Sequence, residues 1–278
     1  MKKLPYTIIL LIVMTLTCGC STMPLFMGRS SIADDIANKA GFSEEYVKAG
    51  GFTLLTYQKF NRLSDKISIY IEGDGRAWET KHKLSDDPTP SNPVALRLAA
   101  VDPADNIVYI ARPGQYSASG LPDCESMYWS ARRFAPEVVE SMDRAIDIMK
   151  EKSGAKYLEL VGYSGGGAIA VLITARRSDV VALRTVAGNL NTNVFCSYHH
   201  VSLLNGSMNP LDVAREVTHI PQRHFVGLKD KIVPFGIAES FVKIEGDKDD
   251  ERITVVDGVS HNDDWAKRWR KLLAVPLH

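Results

Sequence analysis

An α/β architecture, one mostly parallel sheet with helices on both faces, is the fold class this sequence predicts. Three observations carry it. Short apolar runs alternate with amphipathic stretches along most of the chain, as strands joined by crossover helices do. Two of the runs, Ile67 to Glu72 and Ile107 to Ala111, have the β-branched content of strands buried on both faces. The 278 residues are 45% hydrophobic with no long low-complexity tract, enough for one large domain with a well-buried core and not for a second full one. Basic and acidic residues balance at 33 each, so no basic stripe points to nucleic acid and electrostatics give no hint of the substrate.

At the N-terminus, Lys2 and Lys3 precede an apolar run from Ile8 to Leu16, followed at once by Thr17, Cys18, Gly19, Cys20 and Ser21. This is a secretory signal pattern, and its run is shorter than the roughly 18 residues that cross a bilayer. Its end resembles a bacterial lipobox, in which a cysteine receives lipid and becomes the mature N-terminus. Cys20, preceded by Gly19, is the candidate lipidation site and Cys18 the second. Thr17, where leucine is commonest, leaves cleavage by ordinary signal peptidase open. Ser21 after the cysteine resembles the outer-membrane form of such signals. The expectation is a signal peptide over residues 1–20, membrane attachment through an N-terminal lipid anchor, and a bacterial cell-envelope location. That location is the outer membrane facing the periplasm, otherwise secreted or periplasmic.

Residues 21–50 read as a tether from Ser21 to Ser31 and a helix from Ile32 to Ala40; the domain proper spans 51–278. Strands are expected at Phe52 to Phe60, Ile67 to Glu72, Ile107 to Ala111, Tyr157 to Val161, Ala182 to Ala187, His224 to Gly227 and Ile253 to Val256. Helices are expected at Pro93 to Ala100, stopped by Asp102 and Pro103, and at Ala135 to Lys150, opened by Pro136 and closed before Gly154. Further helices follow at Ala168 to Arg177, Gly236 to Val242 and Asp264 to Leu273, with Trp265 and Trp269 in the core. About 191–219 interrupts the rhythm and reads as a short inserted cap, in which Asn209 and Pro210 start a short helix through Val217.

The stretch LELVGYSGGGAIA, Leu158 to Ala170, admits two chemistries. Gly165, Gly167 and Ala170 match the G-x-G-x-x-A dinucleotide turn, but that reading requires an acid about 20 residues on, where Arg184 to Asn189 contain none. A P-loop lacks its Lys-Ser/Thr pair. Gly162, Ser164 and Gly166 match G-x-S-x-G, a nucleophilic serine on a strained strand-to-helix turn. This second reading demands an acid after a later strand and a histidine after the last one. FVGLKDKIVP supplies Asp230 and ITVVDGVSHNDDW supplies His261, in that order; Asp257 and Asp263 are the fallback acids. The chemistry needs all three: the imidazole takes the serine proton, and the carboxylate fixes its tautomer and stabilises the imidazolium. The developing oxyanion needs two N–H groups, assigned to Gly165 and to Asp74 in IYIEGDGRAW. An Asp74 carboxylate near an oxyanion repels it unless turned away.

GYSGGG, GLKDKIVP and GVSH resemble the α/β-hydrolases over roughly Phe52 to Leu273. More narrowly, YIEGDGRAW, DPTP, ARPGQY, YWSARRFAPEVV, TVAGNL and GSMNP resemble a group of bacterial α/β-hydrolase lipoproteins. The resemblance implies the eight-stranded α/β-hydrolase fold, a Ser164, Asp230 and His261 triad, and an oxyanion hole at Gly165 and Asp74. The expected function is serine hydrolysis through an acyl-enzyme, on carboxylic esters of small-molecule or lipid-like substrates, with no cofactor. Thioesterase, peptidase and acyltransferase chemistry use the same parts, and a non-catalytic binding or scaffold lipoprotein is the rival from another class.

Trp78, Tyr116, Tyr128 and Trp129 fall in loops expected near the catalytic edge, and Trp78, Tyr116 and Trp129 are the candidate substrate-binding residues. Cys124 and Cys196 are a candidate disulfide pair in an oxidising compartment, with two separate buried thiols as the alternative. His199, His200, His219 and His224 show no metal-ligand spacing, and no metal site is expected.

Overall fold

The computed structural model describes residues 28–80, 82–119, 122–243 and 250–278. The residues read as a signal peptide and lipobox, Cys18 and Cys20 among them, lie outside the described residues. Helix α1 (Arg29–Ala40) leads into β1 (Ser43–Ala49), β2 (Phe52–Phe60) and β3 (Lys66–Ile71), then a small hairpin of β4 (Trp78–Thr80) and β5 (Lys83–Leu84). The chain continues through α2 (Val94–Val101), β6 (Asn106–Ile110), α3 (Pro136–Ser153), β7 (Tyr157–Tyr163), α4 (Gly165–Thr174) and β8 (Val180–Val186). It ends with α5 (Thr192–His199), β9 (Gln222–Gly227), α6 (Phe235–Val242), β10 (Ile253–Val256) and α7 (Ala266–Leu273).

Eight strands make one sheet in the order β1-β2-β6-β3-β7-β8-β9-β10. β2 runs antiparallel to both β1 and β6, and every later pair is parallel. Period-two alternation distributes side chains between two layers. Ile67, Ile69 and Ile71 of β3 enter the core with α3, α4 and α6, while Tyr70 enters the one with α1, α2 and α7. α3 follows its sequence signals: Pro136 opens it and Gly154, in the left-handed region at φ 70°, closes it. Its buried Val138, Val139, Met142, Ala145, Ile146 and Met149 form one apolar stripe.

The N-terminal edge of the sheet and the insert differ from expectation. β1 lies in the last part of residues 21–50, where only a tether and a helix were expected and no strand, so the sheet begins at Ser43 rather than after residue 50. It is an edge strand that buries only Val47 and Ala49, too weak an apolar pattern to read. The insert holds α5 besides the expected short helix, which is a 3-10 helix over Pro210–Val217. Asn209 Oδ1 accepts from Leu211 N–H and from Thr192 N–H at 3.0 Å, joining the two ends of the insert. The candidate disulfide is corrected: Cys124 and Cys196 are free thiols. Cys124 sits beside Gly114 in the loop after β6, whereas Cys196 is buried on α5.

His224, part of the histidine set in the sequence, is fully buried in β9. Gln222 Nε2 donates to Val217 O and Ile220 O, which leaves Oε1 to accept from His224 Nε2 at 3.1 Å. A neutral ring then accepts at Nδ1 from the Thr185 hydroxyl at 2.9 Å. Burial, with Arg252 and Arg223 near, pulls the imidazole down to about 3. The unfolded chain takes up this proton below about 6.5 and the folded chain does not, so stability is complete above that pH and is lost toward pH 3. Between pH 7 and 5 this one group is expected to remove about 2 kcal/mol. Urea denaturation at both pH values checks it: His224→Gln should show a pH-dependent loss smaller by that amount, and an equal loss in both proteins sinks the assignment.

Candidate active site

The loops at the carboxyl ends of β3, β7, β9 and β10 converge on Ser164. The serine stands between β7 and α4 with φ 50° and ψ −118°, a strained backbone for a residue with a side chain. Glycines enforce the turn. A Cβ at Gly162 would lie 2.3 Å from Gly166 O, and one at Gly166 would lie 2.2 Å from Ile71 O. The helix therefore starts at Gly165, three residues before the expected Ala168. The Ser164 carbonyl accepts from Gly167 and Asn189 N–H, and its own N–H donates to Val186 O.

His261 Nε2 lies 3.0 Å from Ser164 Oγ, and its Nδ1 lies 2.8 Å from Asp230 Oδ2. Asp230 Oδ1 accepts from the N–H groups of Ile232 and Val233, each at 2.8 Å, and the carboxylate is fully shielded from solvent. A carboxylate only accepts, so Nδ1 carries the ring proton and Nε2 is free to accept from the serine hydroxyl. The loop that carries the ring is held from below: Tyr163 Oη and Trp265 Nε1 both donate to the His261 carbonyl at 3.0 Å. Of the fallback acids, Asp263 caps its own loop by accepting from Ser260 N–H, and Asp257 is exposed.

The two assigned amides lie beside the serine. A Cβ at Gly73 would stand 3.1 Å from Ser164 Cβ, and one at Gly165 only 2.0 Å from Asp74 Oδ1. Neither Gly165 N–H nor Asp74 N–H has a hydrogen-bond partner among the described residues. The Asp74 carboxylate is paired with Arg112 and Arg133. Gln115 locks the same loop, donating to Gly73 O at 3.0 Å while accepting from Arg112 N–H. Glu72 accepts from Gly73 and Ala95 N–H, and burial pushes its carboxyl up to about 7.

Two of the three aromatic assignments are corrected. Tyr116 is 1% exposed and packs in the core with Tyr57 and Tyr109, while Trp129 is 6% exposed with Nε1 donating to Ser85 O. Both brace loops from inside, and neither offers a face to a ligand. Trp78, on β4, is 48% exposed. Sequence reasoning gave no role to Arg112, Arg133, Gln115 and Tyr163, although ARPGQY and SARRF contain three of them. From the insert, His199 Nε2 donates to Ile232 O at 2.7 Å and ties α5 to the Asp230 loop.

No family model matches this sequence, and no curated protein sequence matches it. Solved structures do. An alpha-beta serine hydrolase homologue from Coxiella burnetii aligns with a TM-score of 0.56 at 16% identity, over 83% of this chain and 93% of that one. Est1E from Butyrivibrio proteoclasticus aligns at 0.55 and 14% identity, over 83% and 97%. A puromycin-hydrolyzing peptidase from Mycobacterium tuberculosis aligns at 0.57 and 15% identity, over 84% of this chain and 38% of that one. At such identities the likeness is one of fold.

Proposed function

We propose that this chain, which has the α/β-hydrolase fold, is a serine hydrolase that cleaves carboxylic esters through an acyl-enzyme. The observation that carries the reading is the hydrogen-bonded run from Ser164 Oγ through His261 to Asp230, at 3.0 and 2.8 Å, set beside two unpartnered amides. Ser164 Oγ attacks the ester carbonyl carbon as its proton passes to His261 Nε2. The carbonyl oxygen, now anionic, is met by Gly165 and Asp74 N–H. The imidazolium returns the proton to the departing alkoxide, and the acyl group stays on Ser164. Water then attacks, losing its proton to His261, and the acid and the free serine are released. Asp230 holds the ring tautomer and balances the imidazolium charge throughout.

The feature that would favour the rival, a binding protein without turnover, is the Asp74 carboxylate beside the oxyanion site, whose charge would repel an oxyanion. With that carboxylate paired to two arginines, no observation favours it. The envelope location and lipid anchor belong to the same proposal, supported by the Lys2 to Ser21 pattern.

Intact mass after fluorophosphonate treatment tests the chemistry: one adduct on the wild type and none on Ser164→Ala is expected. Absence of an adduct on both would rule out an activated serine. For the anchor, the labelled full chain should partition with detergent and membranes, and Cys20→Ser should release it. Equal partitioning of both would sink Cys20 as the attachment point.

A further inference from the structure

The mechanism uses the Asp74 amide and leaves its side chain unexplained. That side chain is the centre of a cluster with more positive than negative charge. Arg112, in the loop after β6, and Arg133, shortly before α3, have side chains only 4% and 9% exposed. Both point at one carboxylate: Arg112 Nη1 lies 3.4 Å from Asp74 Oδ1, and Arg133 Nη1 lies 3.2 Å from Oδ2. Arg112 Nη2 donates to the Arg133 carbonyl. The Nε of each guanidinium is buried without a partner.

The surroundings compensate little. Phe134 lies under both guanidiniums and Phe195 of α5 under Arg133. The other acid of this region, Glu72, is held up to about 7 by burial and brings part of a charge at neutral pH. Burial pulls Arg112 down to about 10 even with Asp74 beside it, and Arg133 adds to the fall. Two buried cations sharing one anion are costly unless another anion completes the set. The cluster meets solvent at Asp74, whose side chain is 19% exposed. Asp74 in turn abuts Gly165, the residue after the nucleophile.

We propose that Arg133, backed by Arg112, binds a carboxylate carried by the substrate, so that the preferred esters bear a free carboxylate a few bonds from the scissile carbonyl. The proposal rests on the serine-hydrolase reading and names its substrate class. Arginine suits it: the planar fork pairs with Asp74 and with a second carboxylate, whereas a lysine offers a point charge.

Matched esters test the proposal on the purified protein. On the acyl side, p-nitrophenyl hydrogen glutarate is compared with p-nitrophenyl valerate; on the alcohol side, meta-acetoxybenzoate is compared with meta-tolyl acetate. In at least one pair, kcat/KM for the carboxylate-bearing ester should exceed that of its neutral partner about tenfold or more, mainly through KM. Arg133→Gln should lower that ratio about tenfold, and Arg133→Lys should lower it about threefold by keeping the charge and losing the fork. If circular dichroism shows Arg133→Gln to be unfolded, the lysine variant carries the test.

A ratio near one or below in both wild-type pairs overturns the subsite. So does a ratio that the folded Arg133 variant leaves unchanged. Fluorophosphonate labelling of Ser164 is scored on the same preparation. Labelled protein without carboxylate preference sinks the subsite alone, whereas absent labelling sinks the hydrolase reading and the subsite with it.

Discussion

His261→Ala is expected to lower kcat on the order of a millionfold, and Asp230→Asn on the order of ten-thousandfold, with little change in KM for either. The first removes the one base that, among the described residues, lies within hydrogen-bond distance of Ser164 Oγ. The second argues more about geometry. Asp230 Oδ1 accepts two backbone N–H groups, from Ile232 and Val233, and those donors need an oxygen opposite them. An asparagine is therefore forced to place its oxygen there and its NH2 toward His261 Nδ1. Nδ1 must then accept, the ring proton moves to Nε2, and the ring donates to Ser164 instead of taking its proton. The loop keeps its hydrogen bonds, so Asp230→Asn should melt close to wild type while losing activity. Steady-state kinetics on a chromogenic ester with a parallel thermal melt decide it. An Asp230→Asn enzyme within tenfold of wild type would mean that the carboxylate does not set the tautomer.

Much of this candidate site is legible in the sequence because the proposed chemistry would fix residue types at strand ends. Ser164, Asp230 and His261 each follow a recognisable apolar run, and the chain order of the three is itself a constraint. The geometry brings those three together. What escapes reading depends on contacts far apart in sequence. Asp74 reads as an electrostatic anomaly until Arg112 and Arg133, 38 and 59 positions later, are seen to flank it. Tyr116 and Trp129 have the composition of a ligand wall, and only their burial shows that they brace loops from inside. β1 hides for the opposite reason: an edge strand buries one face in part, so Glu44, Glu45 and Lys48 dilute its apolar signal. The AGG step at Ala49 to Gly51, where Gly50 has φ 59° and the hairpin turns into β2, is the one cue that marks it.

Gly166→Ala should destabilise the fold by about 3 kcal/mol or more, although helix propensity alone favours alanine by about 1 kcal/mol. The sign turns on what the added methyl meets. At Gly166 it would stand 2.2 Å from Ile71 O and 2.5 Å from Glu72 O, both main-chain atoms at the end of β3, between strands β6 and β7. Neither carbonyl can retreat without breaking the sheet, so α4 must lift from it and the Ser164 turn opens. Gly165→Ala meets a side chain instead, Asp74 Oδ1 at 2.0 Å. That carboxylate can rotate, but only by leaving Arg112 and Arg133 and swinging across the oxyanion position. The steric cost and the helix gain then roughly offset, and the loss appears in catalysis, as a fall in kcat on the order of a hundredfold. Urea denaturation and ester kinetics on the two variants separate the cases. A Gly166→Ala protein as stable as wild type would show that β3 and α4 do not meet as closely as the Ser164 turn requires. A fully active Gly165→Ala protein would show that the Asp74 carboxylate moves without cost and lies clear of the reacting oxygen.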